Sequence, residues 1–204
     1  MNINKLKEAE QNFLARYPGG FSNPEMLEIG KKHKMEKMVD FAQTSFTKES
    51  FENPEEVAGN MIKIVSRSSM VSLFEKPKFR DYVRAMSISQ KIELASALEN
   101  LLHTNEEEGF SRLVGILQDA GIAKWPLVTV YGAYFNPTKD VFIKPTTAKN
   151  VIKYFELEDI EYNSKPTFAF YKKYREYINS MKKSTDKSLS GSNAAFCGFL
   201  MMSS

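Results

Sequence analysis

Residues 125–135, WPLVTVYGAYF, decide how the whole chain reads. The run is apolar almost all round, so whichever element it forms lies in the middle of the fold. Val128, Val130 and Tyr131 would suit a strand as well, and periodicity alone does not separate a short buried strand from a buried helix. The flanking sequence settles it: on both sides apolar residues recur at three- and four-residue spacing. A central helix in an all-α protein is therefore expected. An extended tetrapeptide, VFIK at 141–144, then precedes a helix opening at Pro145, where Thr146 or Thr147 can cap and Ala148, Val151, Ile152 and Phe155 form the apolar face.

Working outward, Leu6, Ala9, Phe13 and Tyr17 mark a first helix that Pro18-Gly19-Gly20 ends. Asn23-Pro24 and Asn53-Pro54 each read as a cap followed by a first helical proline. Between them Leu27, Met35, Met38, Ala42 and Phe46 can be followed as a stripe through a long basic segment containing KKHK, in which Gly30 is a point where the helix could break. Val57, Met61, Ile64 and Val65 carry the next helix. Pro77 is read as a corner between two short helices, one with Met70, Leu73 and Phe74, the other with Phe79, Tyr82 and Val83.

Ser87-Ile88-Ser89-Gln90 has the capping-box pattern, and Ile92, Ala95, Leu98, Leu101 and Leu102 follow it as an apolar face. HTNEEEG at 103–109 is read as a polar loop with solvated carboxylates. Phe110, Leu113, Val114 and Leu117 then run to Gly121, a C-terminal glycine. In the last long helix Phe168, Tyr171, Tyr174, Ile178 and Met181 point inward, and Lys172, Lys173 and Arg175 are expected to point away. STDKSLSGSN at 184–193 reads as a linker to a terminal apolar segment that docks on the same unit. The sum is a compact multi-helix, all-α fold of eight or nine helices in one domain, 1–204.

Composition narrows function. The chain has 204 residues, 42% of them hydrophobic, and a formal net charge of +3, so only a local patch could serve a polyanion. One cysteine, Cys197, excludes an internal disulfide, and with no secretory pattern in MNINKLKEAEQ a cytoplasmic location is expected. No apolar run reaches the roughly 20 residues needed to cross a bilayer. His33 and His103 lack metal-ligand spacing, and no phosphate-binding glycine loop occurs, so neither a metal nor a cofactor is expected. Basic residues alternate with aromatics in KPKFR, 76–80, and YKKYREY, 171–177, a pattern that can serve a nucleic-acid strand.

Two resemblances add to this. Gly121, Ile122 and Trp125, followed by Lys139-Asp140-Val141-Phe142, resemble the helix-hairpin-helix portion of the DNA base-excision glycosylase superfamily, the 3-methyladenine glycosylases in particular. That resemblance implies a helical hairpin, a cleft and DNA as partner. It departs from the family where a catalytic carboxylate belongs, since Pro145 and Thr146 occupy those positions, and Ala123 replaces the second hairpin glycine. Phe142-Ile143-Lys144-Pro145-Thr146 with Glu161-Tyr162-Asn163 and Pro166 also resembles a group of uncharacterised bacterial proteins with an F-x-K-P-T pattern, which implies no activity.

Three function classes follow as expectations. The first is a nucleic-acid-associated protein, binding DNA or RNA, in which Lys124, Lys144 and Lys149 line a glycosylase-like cleft without a catalytic acid. The second is a protein-interaction module or homodimer that uses the terminal segment 190–204. The third is an enzyme for a small molecule, with Arg67, Lys144 and Tyr162 converging on a pocket.

Overall fold

A computed structural model describes all residues, 1–204. It is all-α: α1 Ile3–Arg16, α2 Pro24–Lys32, α3 Met35–Ser45, α4 Pro54–Arg67, α5 Glu75–Ala85, α6 Ile88–His103, α7 Glu106–Asp119, α8 Trp125–Phe135, α9 Pro145–Tyr154, α10 Phe168–Lys183 and α11 Asn193–Ser203, with three short 3-10 turns and no strand. Local chemistry writes most of the starts. Asn23 and Asn53 cap α2 and α4 through their side chains, each with a proline at the first turn. Ser87 and Gln90 exchange both bonds of a capping box at α6. At the far end of α7, Ile122 N–H donates to Leu117 O and Gly121 N–H to Gln118 O, both at 2.9 Å, with Gly121 at φ 68°. This Schellman pairing is why glycine stands at 121.

The run 125–135 is the central helix. Ten residues of α8, Trp125 through Tyr134, are buried, and α3, α4, α6 and α7 all touch it. One contiguous apolar core of 49 buried residues draws on every helix except α2. α6 and α7 form the tightest pair, an antiparallel hairpin, whereas α7 and α8 share far less contact. Gly109 makes that close approach possible: a Cβ there would fall 2.1 Å from Leu101 N and 2.7 Å from Ala97 O. On the opposite side α10 and α9 meet α11, which also packs on α1.

The extended VFIK passes beneath α8. Val141, Phe142 and Ile143 are buried without a strand partner, so their amides need other acceptors. Thr129 supplies one: its Oγ1 accepts from Ile143 N at 3.0 Å and donates to Trp125 O at 2.8 Å. No helix is long and apolar enough to cross a membrane.

Several local expectations are corrected. α2 runs through Gly30 and breaks at His33-Lys34, where Lys34 takes φ 52°. A glycine costs a helix interior only about 1 kcal/mol, too little to end it unaided. Pro77 sits in the first turn of α5, where its missing N–H is no loss, and residues 68–74 form a turn rather than a helix. α6 buries Leu94, Ala95, Ala97 and Leu98 while Ile92 is exposed, because α4, α7 and α8 cover it from several directions. The glutamates at 106–108 are the first turn of α7, capped by Asn105, where acids complement the helix dipole. Lys144, not a threonine, holds the N-cap position of α9, and Thr147 is buried.

Segment 184–193 is tied down as well. Residues 187–189 form a 3-10 turn with Leu189 buried. Asn193 is fully buried and latches the chain: its N–H donates to Pro137 O at 2.7 Å, its amide donates to Lys139 O and Asn179 Oδ1, and its Oδ1 accepts from Lys182 Nζ at 2.6 Å. The terminal segment docks through Phe196, Phe199 and Leu200, with Phe13 edge-on to Phe199.

Candidate functional site

Two charged constellations stand out, one inside the fold and one on its surface. The interior one overturns the outward placement of Arg175. This residue is buried on α10, its guanidinium 4.9 Å from the Tyr171 ring centroid, and it bonds Glu106 from the first turn of α7 with both arms. It also donates to Asp140 Oδ1 at 2.7 Å, and Asn136 donates to the other Asp140 oxygen at 3.0 Å. Burial would raise the Glu106 carboxyl, but the hydrogen bond and charge of Arg175 outweigh it and hold the group below the usual range.

Gly132 lets Asp140 lie flat on α8, since a Cβ there would come within 3.1 Å of Asp140 Oδ2. The cavity beside this cluster, lined by Leu101, Phe110, Val128 and Thr129 among others, is about 10 Å³. That is room for one water at most and for no substrate. The cluster ties α7, α10 and the 136–140 turn together.

The surface constellation is a cleft of about 450 Å³ between α3 and α4, lined by Lys34, Lys37, Met38, Phe41, Ser66 and Arg67. Its geometry follows from helical spacing. Lys37 and Phe41 are four residues apart and share a face of α3, and Lys34, at its N-cap with a left-handed backbone, lines the same cleft. Lys63 and Arg67 are four apart on α4 and both reach the Phe41 ring, at 5.9 Å and 5.1 Å from its centroid. Met38 is the buried floor.

No carboxylate lines the cleft, and none of Lys34, Lys37, Lys63 and Arg67 takes part in an ion pair. Three unneutralised cations lining the cleft, with Lys63 beside its aromatic ring, produce a local positive potential that the modest net charge conceals. Lys63 Nζ donates to Asn60 Oδ1 at 3.0 Å beside that ring.

The residues singled out in the sequence do not all meet in this cleft. Arg67 lies in the α3/α4 cleft, which neither Lys144 nor Tyr162 lines. Tyr162 is half-buried against Phe170, and Lys149 from α9 sits 4.8 Å from its ring centroid. Lys124 and Lys144 are exposed at the N-cap positions of α8 and α9, and Lys124 lies within electrostatic reach of Glu75. No group of three or more histidine, cysteine, aspartate or glutamate side chains is placed to hold a metal ion. Burial pushes the Cys197 thiol up to about 12, which removes its nucleophilic form at neutral pH.

Sequence reasoning missed Phe41, Lys37 and Lys63. The available signal was the KKHK run followed by Lys37 and Phe41 at helical spacing, set against the pair Lys63 and Arg67. No protein-family model, curated protein or solved structure matches this chain.

Proposed function

We propose that this chain is a nucleic-acid-associated binding protein whose contact surface is the α3/α4 cleft. The observation that carries the reading is the set of unpaired cations Lys34, Lys37 and Arg67 lining one opening with Phe41 and no carboxylate, with Lys63 beside the same ring. Phosphates answer the cations, and the ring with the guanidinium over it answers the face of a base. Histidine, cysteine and carboxylate are all missing from the lining beside Ser66, so the reading is one of binding rather than catalysis.

The test is fluorescence anisotropy of labelled oligonucleotides across a salt series. Three to four neutralised phosphates predict a log-log slope of roughly −2 to −3 on a single strand, from about −0.7 per phosphate. Charge reversal at Lys37→Glu with Arg67→Glu should weaken low-salt binding at least about tenfold and flatten that slope. Reversal at Lys124, Lys144 and Lys149 serves as the comparison. If that triple variant alone loses binding, the surface lies at α8 and α9. If the wild-type chain binds no oligonucleotide at low salt, the nucleic-acid reading is wrong.

A further inference from the structure

Beside the cleft, residues 68–74 turn outward and expose two large apolar side chains. Phe74 is 83% exposed and Leu73 78%, the highest values among the large hydrophobic residues. Water penalises such a display, so a loop that held it by accident would be expected to fold the ring back.

This loop is held outward by specific bonds. Ser68 is buried and its Oγ pairs with Tyr134 Oη at 2.9 Å while accepting from Met70 N at 3.1 Å. Val71 is buried in the core, and Phe74 N donates to Ser72 Oγ at 3.2 Å. Ser69 Oγ lies 2.7 Å from His33 Nδ1 and so joins the loop to the α2/α3 corner that presents Lys34 to the cleft. The surface is continuous from cleft to loop.

The charge on the far side of Phe74 has the same sign. Lys76 and Lys78 take part in no ion pair, and the intervening carboxyl, Glu75, turns inward with Oε2 buried and unpartnered. Along the chain Phe74 is thus preceded by Arg67 of the cleft and followed by the cations of α5. From Ser69 to Phe74 the chain can reach at most about 17 Å, five residues at about 3.4 Å each, which is a span of a few nucleotides.

We infer that the cleft and the Phe74 loop together take an unpaired nucleic-acid strand, with phosphates along Lys34, Lys37 and Arg67 and a base stacked on Phe74. The inference rests on the nucleic-acid reading above and names its substrate class. A duplex keeps its base faces covered by their neighbours, so an outstretched aromatic side chain has no face to meet there, whereas every unstacked base offers one.

The experiment measures the intact chain against a labelled homopyrimidine strand of about 12 nucleotides, the size range of such sites, and a duplex of equal length. The strand should bind at least about tenfold more tightly than the duplex. Phe74→Ala should lose roughly tenfold on the strand and little on the duplex, and Phe74→Trp should restore binding with quenching of its fluorescence as the base stacks. Both changes are at an exposed position, so unaltered thermal melting confirms folding. Strand binding that Phe74→Ala leaves intact, or equal duplex binding, overturns the inference while sparing the cleft. Binding to phosphatidylserine vesicles instead of the strand overturns it in favour of an anionic membrane surface. No nucleic-acid binding by the wild-type chain removes both readings together.

Discussion

Arg175 on α10 and Asp140 in the turn after α8 meet at 2.7 Å in the interior, 35 residues apart in sequence. The same guanidinium holds Glu106 on α7, so one side chain joins three parts of the chain that share no local sequence signal. Two buried or half-buried carboxylates facing one cation are tolerable only while that cation is present.

Arg175→Met is expected to cost about 3–5 kcal/mol, because it strands the Asp140 and Glu106 charges without removing them. Urea unfolding should show a lower midpoint with an unchanged slope. Adding Glu106→Gln and Asp140→Asn to Arg175→Met should recover a large part of the loss. If the triple variant is as unstable as the single one, lost packing of the arginine stem rather than stranded charge explains the effect.

Acid should loosen the same cluster. The folded Glu106 carboxyl lies below its ordinary value, so it contributes stability that is fully present above the unfolded value near 4.3 and is lost as pH falls through the folded one. Thermal melting followed from pH 6 down to about 3 should fall, and Glu106→Gln should make that acid limb shallower while lowering stability at neutral pH. An acid limb of equal steepness in both proteins would assign the pH dependence to other carboxyls.

Gly109→Ala should be among the most damaging single changes in α7. The added methyl would meet Leu101 backbone at 2.1 Å and 2.6 Å, and two helix backbones cannot part without disturbing the packing on either side. A loss of about 2–3 kcal/mol or more is expected. Gly115→Ala in the same helix has nothing within 4 Å and should instead stabilise by about 0.5–1 kcal/mol. The pair separates close approach from helix propensity in one melting experiment.

Tyr131 and Tyr134, one turn apart on α8, predict opposite responses. The Tyr131 hydroxyl is buried with no partner, and burial drives that phenol well above its usual range. Tyr131→Phe removes an unsatisfied group and is expected to be neutral or stabilising by about 1 kcal/mol. Tyr134→Phe deletes the 2.9 Å bond to Ser68 and should cost about 1–2 kcal/mol, loosening the loop that carries Phe74. A lower midpoint for Tyr134→Phe beside an unchanged or higher one for Tyr131→Phe is the signature in chemical unfolding; a loss at Tyr131 would mean the hydroxyl does have a partner in solution.

How far the sequence carries differs between these features. Helix positions, the Ser87 capping box, the Gly121 stop and the Asn-Pro starts were legible, since each rests on atoms within about one turn of the chain. The reading failed where a local rule had two outcomes. A proline can make a corner or sit in the first turn of a helix, and Pro77 sits in the first turn of α5. A glycine can end a helix or be carried within it, and Gly30 is carried.

The site was less legible than the fold. Arg67 was singled out, but in company with Lys144 and Tyr162, which the structure places elsewhere. Its actual neighbours on α3, Lys37 and Phe41, read as an ordinary basic face until α4 is laid across them. Arg175 read as an outward residue because its helical position lies at the margin of the Tyr171 and Tyr174 stripe, and burial there depends on a carboxylate 69 residues away.

By itself the sequence determined that this protein is helical, that 125–135 lies at its centre and that its polar and apolar faces segregate, because hydrophobic spacing and capping act through neighbours in the chain. Only the tertiary structure decided that Arg175 turns inward, that Gly109 brings two helices into backbone contact, and that Lys34, Lys37 and Arg67 share one cleft with Phe41. Charge pairing and cleft formation are set by which helix faces meet, and that depends on the docking of whole elements across the core.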